Sequence, residues 1–420
     1  MQWFPETKEL FMNRVVVTGL GCVTPVGNDV PTTWENLLAG RHGFAPISRF
    51  DTTGMKVTIA AEVKDFDPTL YLPKSELRKT DLYTQYALAG ATQAMEDAGL
   101  AGAIDPYRLG VYLGSGIGGI TTFIRETETM LKVGPQRISP FFIPMMIANM
   151  GSAEVAIRFG AKGPNLPAVS ACSTGTNTIG EAFRAIKYGY ADAILAGGAE
   201  ATINPLAIGG FTNCMALTTR NDPDTASIPF DKRRDGFVIG EGAGVIVLEE
   251  LEHARQRGAH IYCEIIGYGN TCDAYHMTAP QPDAEGSSRM ITLAFEEAGL
   301  TPDEHLYINA HGTSTPLNDK VETLAIKKAL GDVAYQIPIS STKSMTGHML
   351  GAAGGVEAIV AVKTLETGWI PPTVGLAEPD EDCDLDYTPG TARQMDVDKA
   401  LSTSLGFGGH NAGVLFRAIR

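Results

Sequence analysis

Metal-ligand spacings are missing from this chain. Its eight histidines include no H-E-x-x-H pair, and its six cysteines, at 22, 172, 214, 263, 272 and 383, include no C-x-x-C. That argues against a zinc cluster and against a catalytic metal. The opening residues, MQWFPETKELF, lack the basic start and apolar centre of a secretory leader. Without secretion, the scattered cysteines read as reduced, mostly buried small side chains and not as a disulfide framework. No apolar run approaches the width of a bilayer. Basic residues are in deficit, 33 against 48 acidic for a net charge of −15, which disfavours nonspecific nucleic-acid binding. These absences lead us to expect a cytoplasmic protein with no metal, no nucleic acid and no membrane among its partners. Met12 immediately precedes NRVVVTGLG, so residues 1–12 read as an N-terminal extension.

Small residues are plentiful, with 47 glycines, which suits tight loops and close packing better than coiled coil or disorder. Apolar runs at 14–21, 110–116, 165–171, 191–201 and 243–251 read as strands. Between them, 81–100 and 175–189 carry apolar residues at helical spacing. Near 260 the alternation begins again, with IYCEIIGYG, LYINAHG, IPISSTKS, GHMLGAAGGVEAIVAVKTL and KALSTSLGFGGHNAGVLF. Alternating elements imply α/β layers with largely buried sheets. The two parts rhyme at one place: AVSAC runs into STGTNTIGEAFRAI, and PISSTKS runs into MTGHMLGAAGGVEAI. We therefore divide the chain into halves at 13–259 and 260–420, with two helix starts facing a common site.

Cys172 falls where a strand-like run meets a helix. Unpaired N–H groups at a helix start favour the nucleophilic thiolate, and small neighbours would admit a bulky thioester. The competing reading is a core cysteine. His311 lies in a Gly/Thr/Pro-rich loop after an apolar strand, and His348 at a bend entering a helix. One loop histidine is unremarkable, but two at strand ends with a candidate thiol make a constellation. Lys343 and Glu357 flank His348, and Lys343 stands out in the nearly uncharged SSTKSMTG. GSGIGG at 114–119 follows a strand, yet no acidic residue ends a next strand about 20 positions on, so the glycines fit a tight loop better than a dinucleotide site. The Cys172-to-His311 spacing lies in the papain-like range, but the local C-G-S/A-C signature is absent and the cysteine lies mid-chain. KSELRK places Lys74, Arg78 and Lys79 within two helical turns. That is a solvated helix face, or the local basic patch that an acidic partner would need.

Taken together, VSACSTG, NAHGTSTPLNDK, SSTKSMTGHMLGAAGGVE and GFGGHN resemble the β-ketoacyl-acyl carrier protein (ACP) synthases, condensing enzymes of the thiolase superfamily. The match looks closest to the elongating type II enzyme of bacterial fatty-acid synthesis and spans residues 13–420. The resemblance implies a duplicated five-layer αβαβα fold and a homodimer. It implies that Cys172 takes an acyl chain from acyl-ACP, with the Cys172 and Phe407 amides as oxyanion hole. His311 and His348 would then stabilise the enolate left when malonyl-ACP loses carbon dioxide. Lys343 and Glu357 match the supporting pair, and Phe407 matches the gate to the acyl pocket. Thr278, Thr313 and Thr315 match positions near the pantetheine; Ile117, Phe142 and Phe211 match acyl-pocket positions. Lys74, Arg78 and Lys79 fall in the carrier-docking segment, joined by Arg137. No cofactor is implied beyond the carrier's own phosphopantetheine arm. Two other readings stay open, a ketosynthase of a specialised polyketide-type pathway and a non-catalytic chain-length partner subunit. Thr403, Leu405 and His410 depart from the family's terminal motif, and Met215 stands where relatives often carry an arginine.

Overall fold

Nine buried residues in a row, Val15–Val23, leave no polar face for the first strand to present to water. Such a strand needs cover on both sides, and the architecture supplies it. The computed structural model describes residues 12–419. Among them, the principal strands are β1 (Val15–Val23), β2 (Leu109–Gly114), β3 (Ala193–Glu200), β4 (Gly242–Glu250), β5 (Cys263–Cys272), β6 (Leu306–Asn309), β7 (Ile339–Ser340), β8 (Lys399–Gly406) and β9 (His410–Ala418). The longer helices are α1 (Val30–Leu38), α2 (Leu82–Ala98), α3 (Ile120–Val133), α4 (Met150–Phe159), α5 (Thr174–Lys187), α6 (Pro205–Asn213), α7 (Glu285–Ala298), α8 (Pro316–Leu330) and α9 (Ala353–Thr367).

The nine strands form one continuous sheet in the order β2-β3-β4-β1-β5-β9-β8-β6-β7. From β2 inward the pairings run parallel, antiparallel, antiparallel, and from β6 inward they repeat that sequence. In each set the first strand in the chain lies beside the last. The duplication expected from the rhyming segments is therefore present in the topology. The two sets join where β1 pairs β5 over only three residue pairs, Val15–Val17 against Cys263–Ile265.

Strand parity assigns the layers. Ile194, Ala196, Ile246 and Leu248 point into a central core that also holds Ile179, Phe183 and Ile186 of α5, Ala358, Ile359 and Val362 of α9, and Val414 and Phe416 of β9. Their neighbours Leu195, Val245 and Val247 point outward against α2 and α4. Leu401 and Leu415 point outward against α7 and α8. Alternate side chains thus serve opposite faces. The result is outer helices, half-sheet, central helices, half-sheet, outer helices, the five-layer arrangement the resemblance implied.

One expected strand is absent. Residues 165–171 do not form a strand: the segment touches β2 through the single bridge Asn165 to Val111, outside the sheet edge. It then turns at Ala171, where φ is +51°, into a 3₁₀ turn Ala171–Ser173 that opens α5. The counterpart, PISSTKS, keeps two strand residues as β7, and α9 is entered through an equivalent 3₁₀ turn, Leu350–Ala352, whose first residue has φ +47°. Pseudosymmetry therefore pairs Cys172 with Gly351. Neither α5 nor α9 has a side-chain N-cap. The extension read at 1–12 lies outside the described residues apart from exposed Met12.

Helices α5 and α9 meet backbone to backbone. A Cβ at Gly175 would lie 2.7 Å from the Gly355 nitrogen, and one at Gly355 would collide with the Gly244 carbonyl of β4. Gly209, in α6, has open space instead. We predict that Gly355→Ala lowers stability by about 1–3 kcal/mol through overpacking. Gly209→Ala should be neutral or stabilising by up to about 1 kcal/mol. Urea unfolding midpoints of the two variants check the contrast.

Candidate active site

The 3₁₀ turn that carries Cys172 opens onto a cleft of about 420 Å³ lined by Cys172, His311, His348, Phe407, Thr313, Thr315, Thr278 and Phe211. Each is brought there by a different local device. Cys172 sits in the turn ahead of α5, in an apolar cluster that also holds Phe237, Leu350 and Phe407. His311 follows β6 directly. His348 lies between the short helix Lys343–Thr346 and the turn entering α9, and is held by main-chain bonds in both directions: its N–H donates to the Val238 carbonyl (2.7 Å), and its carbonyl accepts from the Gly240 N–H (2.8 Å). The two imidazole rings stand edge to face, 5.2 Å between centroids. Phe237 packs edge-on against His348 at 5.0 Å.

Burial controls the charges. His311 and His348 are 2% and 1% exposed, and burial together with the nearby Lys343 cation holds both well below the ordinary histidine value. Both rings are therefore neutral at pH 7, able to donate a hydrogen bond from nitrogen. The Nδ1 atom of each is buried without a protein partner. The expectation that the helix start favours a Cys172 thiolate is not met in the resting site: burial pushes the thiol up to about 12, against the lowering effects of Lys343 and of the hydrogen bond from the Phe407 amide. Lys343 and Glu357, both buried, form an ion pair. Burial raises the Glu357 pKa, and the Lys343 cation opposes it.

Two buried carboxylates escaped the sequence reading. Glu322, on α8, accepts hydrogen bonds from the His311 N–H (2.7 Å), the Gly312 N–H (2.7 Å) and the Thr403 hydroxyl (2.9 Å), fixing the His311 loop. Burial lifts it to about 7. Its signal was one turn away, since NDKVE places an acidic residue on an otherwise buried helix face. Thr403, a departure from the family motif, is thereby explained as a Glu322 donor. The other carboxylate is Glu200, at the end of β3. Leu405 lines the cleft, and Met215, 86% exposed, sits at its rim.

Not every expected residue gathers here. Ile117 and Phe142 are not in the cleft. Ile117 is 37% exposed beyond β2, and Phe142 opens a short helix beside α3, its ring 6.3 Å from Phe123. Both lie on the β2 side of the molecule, where the chain at 163–166 borders β2 through the Val111 N–H to the Pro164 carbonyl (3.0 Å) and the Leu166 N–H to the Val111 carbonyl (3.2 Å). Lys74, Arg78, Lys79 and Arg137 are exposed and also outside the cleft. Lys79 lies 5.4 Å from the Phe141 ring, which links the basic segment to the loop after Arg137.

A buried thiol at a helix start and two neutral imidazoles in a duplicated α/β fold fit the condensing, thiolase-like class of acyltransferases. Known proteins agree. Residues 12–254 match the N-terminal domain of the β-ketoacyl synthases and residues 262–377 their C-terminal domain. The chain belongs to the β-ketoacyl synthase family. It is 52% identical to 3-oxoacyl-[acyl-carrier-protein] synthase 2 of Synechocystis over 96% of this chain and 98% of that one. The same-named protein of Coxiella burnetii is 52% identical over 97% and 99%. A β-ketoacyl synthase from Burkholderia phymatum superposes with TM-score 0.90 at 37% identity, covering 97% of this chain and all of that one. So does a type II polyketide ketosynthase in complex with its acyl-carrier protein, at 0.89, 36%, and 97% and 100% coverage. Among the described residues, no helix is long and apolar enough to cross a membrane.

Lys343 lowers the Cys172 pKa, so its removal must raise it and shrink the thiolate fraction at any pH below that value. Lys343→Met leaves Glu357, already raised by burial, to take up a proton. Iodoacetamide alkylation of Cys172 at pH 8 should slow by up to about tenfold, what a rise of about one in the thiol pKa gives. Peptide mass spectrometry against time checks it.

Proposed function

We propose that this chain is an elongating 3-oxoacyl-ACP synthase in which Cys172 carries the growing acyl chain and His311 and His348 serve the condensation. The observation that carries this reading is the pair of neutral imidazoles sharing one cleft with the thiol. In the first step the Cys172 sulfur attacks the thioester carbonyl of acyl-ACP. Amides at the start of α5 and at Phe407 would stabilise the oxyanion, and the carrier thiol leaves with the proton that Cys172 gives up. In the second, malonyl-ACP loses its carboxylate as carbon dioxide. Charge collects on the malonyl thioester oxygen, and two neutral N–H donors can stabilise it without first losing a proton. The enolate carbon then attacks the Cys172 thioester, the carbon–sulfur bond breaks, and β-ketoacyl-ACP departs. Glu322 and the Lys343–Glu357 pair would set histidine geometry. Nothing in these steps calls for a metal or a cofactor beyond the phosphopantetheine arm of the carrier.

Relatives named 3-oxoacyl-[acyl-carrier-protein] synthase 2 stand at 50–52% identity, against 36% for the polyketide ketosynthase. That favours fatty-acid elongation over a specialised pathway. The chain-length-partner reading is disfavoured because Cys172 is present and faces the histidines. Thr278, Thr313 and Thr315 would contact the pantetheine, and the Thr313 and Thr315 hydroxyls already bond each other at 2.9 Å. Lys74, Arg78, Lys79 and Arg137 would meet an acidic carrier, offsetting the long-range repulsion of a chain at −15. We place the reaction in the cytoplasm.

We also propose a homodimer. Segments flanking the β2 edge expose Phe123, Phe141, Ile143, Ile157, Leu166 and Val169, from 38% to 72%, more apolar surface in one region than a monomer usually presents. A second copy seated there would cover Ile117 and Phe142 and complete the acyl pocket that these residues line in the family.

Intact-protein mass spectrometry with a panel of acyl-ACPs, followed by malonyl-ACP, tests the chemistry. A single acyl adduct should form on the wild type, be absent from Cys172→Ala, and discharge as β-ketoacyl-ACP. Absence of an adduct with every primer would overturn the reading. For the dimer, sedimentation velocity should give about twice the chain mass, and Leu166→Asp with Val169→Asp should shift it to one chain while leaving the far-ultraviolet spectrum intact.

A further inference from the structure

Glu200 is a fully buried carboxylate that none of these chemical steps uses. It ends β3, whose eight residues are all buried, and it receives donors from two separate loops. Its Oε1 accepts from the Ser115 hydroxyl (2.9 Å), and its Oε2 accepts from the N–H groups of Gly116 (2.8 Å) and Gly351 (3.1 Å). These three partners all donate, which is what a carboxylate needs to stay charged out of water. Burial raises its pKa, and the donors from Gly351, Ser115 and Gly116 oppose that rise.

The first loop, 115–119, carries Ile117. Ser115 bridges it a second time, since its oxygen accepts from the Gly118 N–H at 2.9 Å. Gly119 then donates to Met146 at 2.9 Å, tying the loop to the short helix that begins at Phe142. The second loop is the 3₁₀ turn Leu350–Ala352, two residues beyond His348. No side chain fits between them: a Cβ at Gly351 would collide with the Gly116 nitrogen, and one at Gly116 would lie 2.8 Å from Glu200 and 3.4 Å from the carbonyl of Ala171, the residue before Cys172. One carboxylate thus spans the wall that bears Ile117 and the turn that bears His348, on the pseudosymmetric counterpart of the nucleophile itself.

We infer that Glu200 is a positioning residue that sets two parts of the reaction at once, the acyl-pocket wall through Ser115 and Gly116 and the His348 turn through Gly351. The inference rests on the condensing reading above and on the dimer proposed with it, in which Ile117 becomes part of the acyl pocket. Glu200→Gln keeps the size, removes the charge that strengthens all three hydrogen bonds and leaves one accepting oxygen in place of two, so the shared anchor weakens for both loops. Ser115→Ala removes one of the two wall-side donors and leaves the Gly116 and Gly351 N–H groups bound.

The test measures two half-reactions on folded protein, with acyl transfer from acyl-ACPs of several lengths read by intact mass and carbon dioxide release read from malonyl-ACP. In Glu200→Gln, we expect KM for acyl-ACP to rise and its chain-length profile to flatten. Carbon dioxide release should fall about tenfold in kcat with KM for malonyl-ACP unchanged, because small displacements of positioned groups cost rate and not binding. In Ser115→Ala only the acyl half should change. A general loss of stability would lower active fraction equally in both halves and would not produce this split. Should Glu200→Gln not fold, Ser115→Ala decides alone: an altered acyl half with normal carbon dioxide release upholds the inference, and wild-type behaviour in both overturns it. A folded Glu200→Gln that matches the wild type, or that changes in one half only, also overturns it. Wild type inert in both halves would overturn the condensing reading and this inference with it, whereas an active wild type beside an unaltered variant removes the inference alone.

Discussion

The contact between α5 and α9 is the constraint on which the rest of the molecule depends. Gly175 and Gly354 bring the two helices into close contact, Gly355 seats α9 directly on Gly244 of β4, and both helices are wedged between half-sheets whose inward residues form the central core. Because the chain duplicates its topology, this contact lies near a local twofold relation. The turn that carries Cys172 and the turn after His348 are consequently neighbours, although 176 residues separate that thiol and that histidine in sequence. Widening the contact by one methyl group would separate the two turns before it disturbed either one locally.

Burial then does the electrical work. The same closeness that joins the turns removes water, and loss of water holds two histidines neutral while it raises the thiol. A helix start alone would favour the thiolate. Here that preference is outweighed at rest, so the thiol is stored protonated and the nearby Lys343 cation becomes the main local force toward ionisation. Glu322 and Glu200 answer a related problem, since each neutralises backbone N–H groups that a tight loop turns inward.

Much of this was legible before any coordinates. VSACSTG, NAHG and MTGHML mark the three cleft residues, because small and polar residues at strand ends have little reason to interrupt apolar runs except to leave room. The repeated strand-bend-helix pattern also announced the duplication. The 165–171 segment misled because it is apolar enough for a strand but lies past the sheet edge, where it meets β2 only around Asn165 and Leu166. Ile117 and Phe142 read as pocket residues by resemblance, yet in the single chain neither lines the cleft that holds Cys172.

Sequence by itself determined most of the local events: all the expected strands but that at 165–171, where helices begin, and which three side chains stand at their ends, because these depend on patterns within a few residues. Tertiary structure alone decided the protonation states, the partnership of Glu322 with the His311 loop, the span of Glu200 between two loops, and the pairing of Cys172 with Gly351. Each of these depends on groups brought together from distant parts of the chain and on the exclusion of water between them, and neither distance nor dielectric is written in the order of residues.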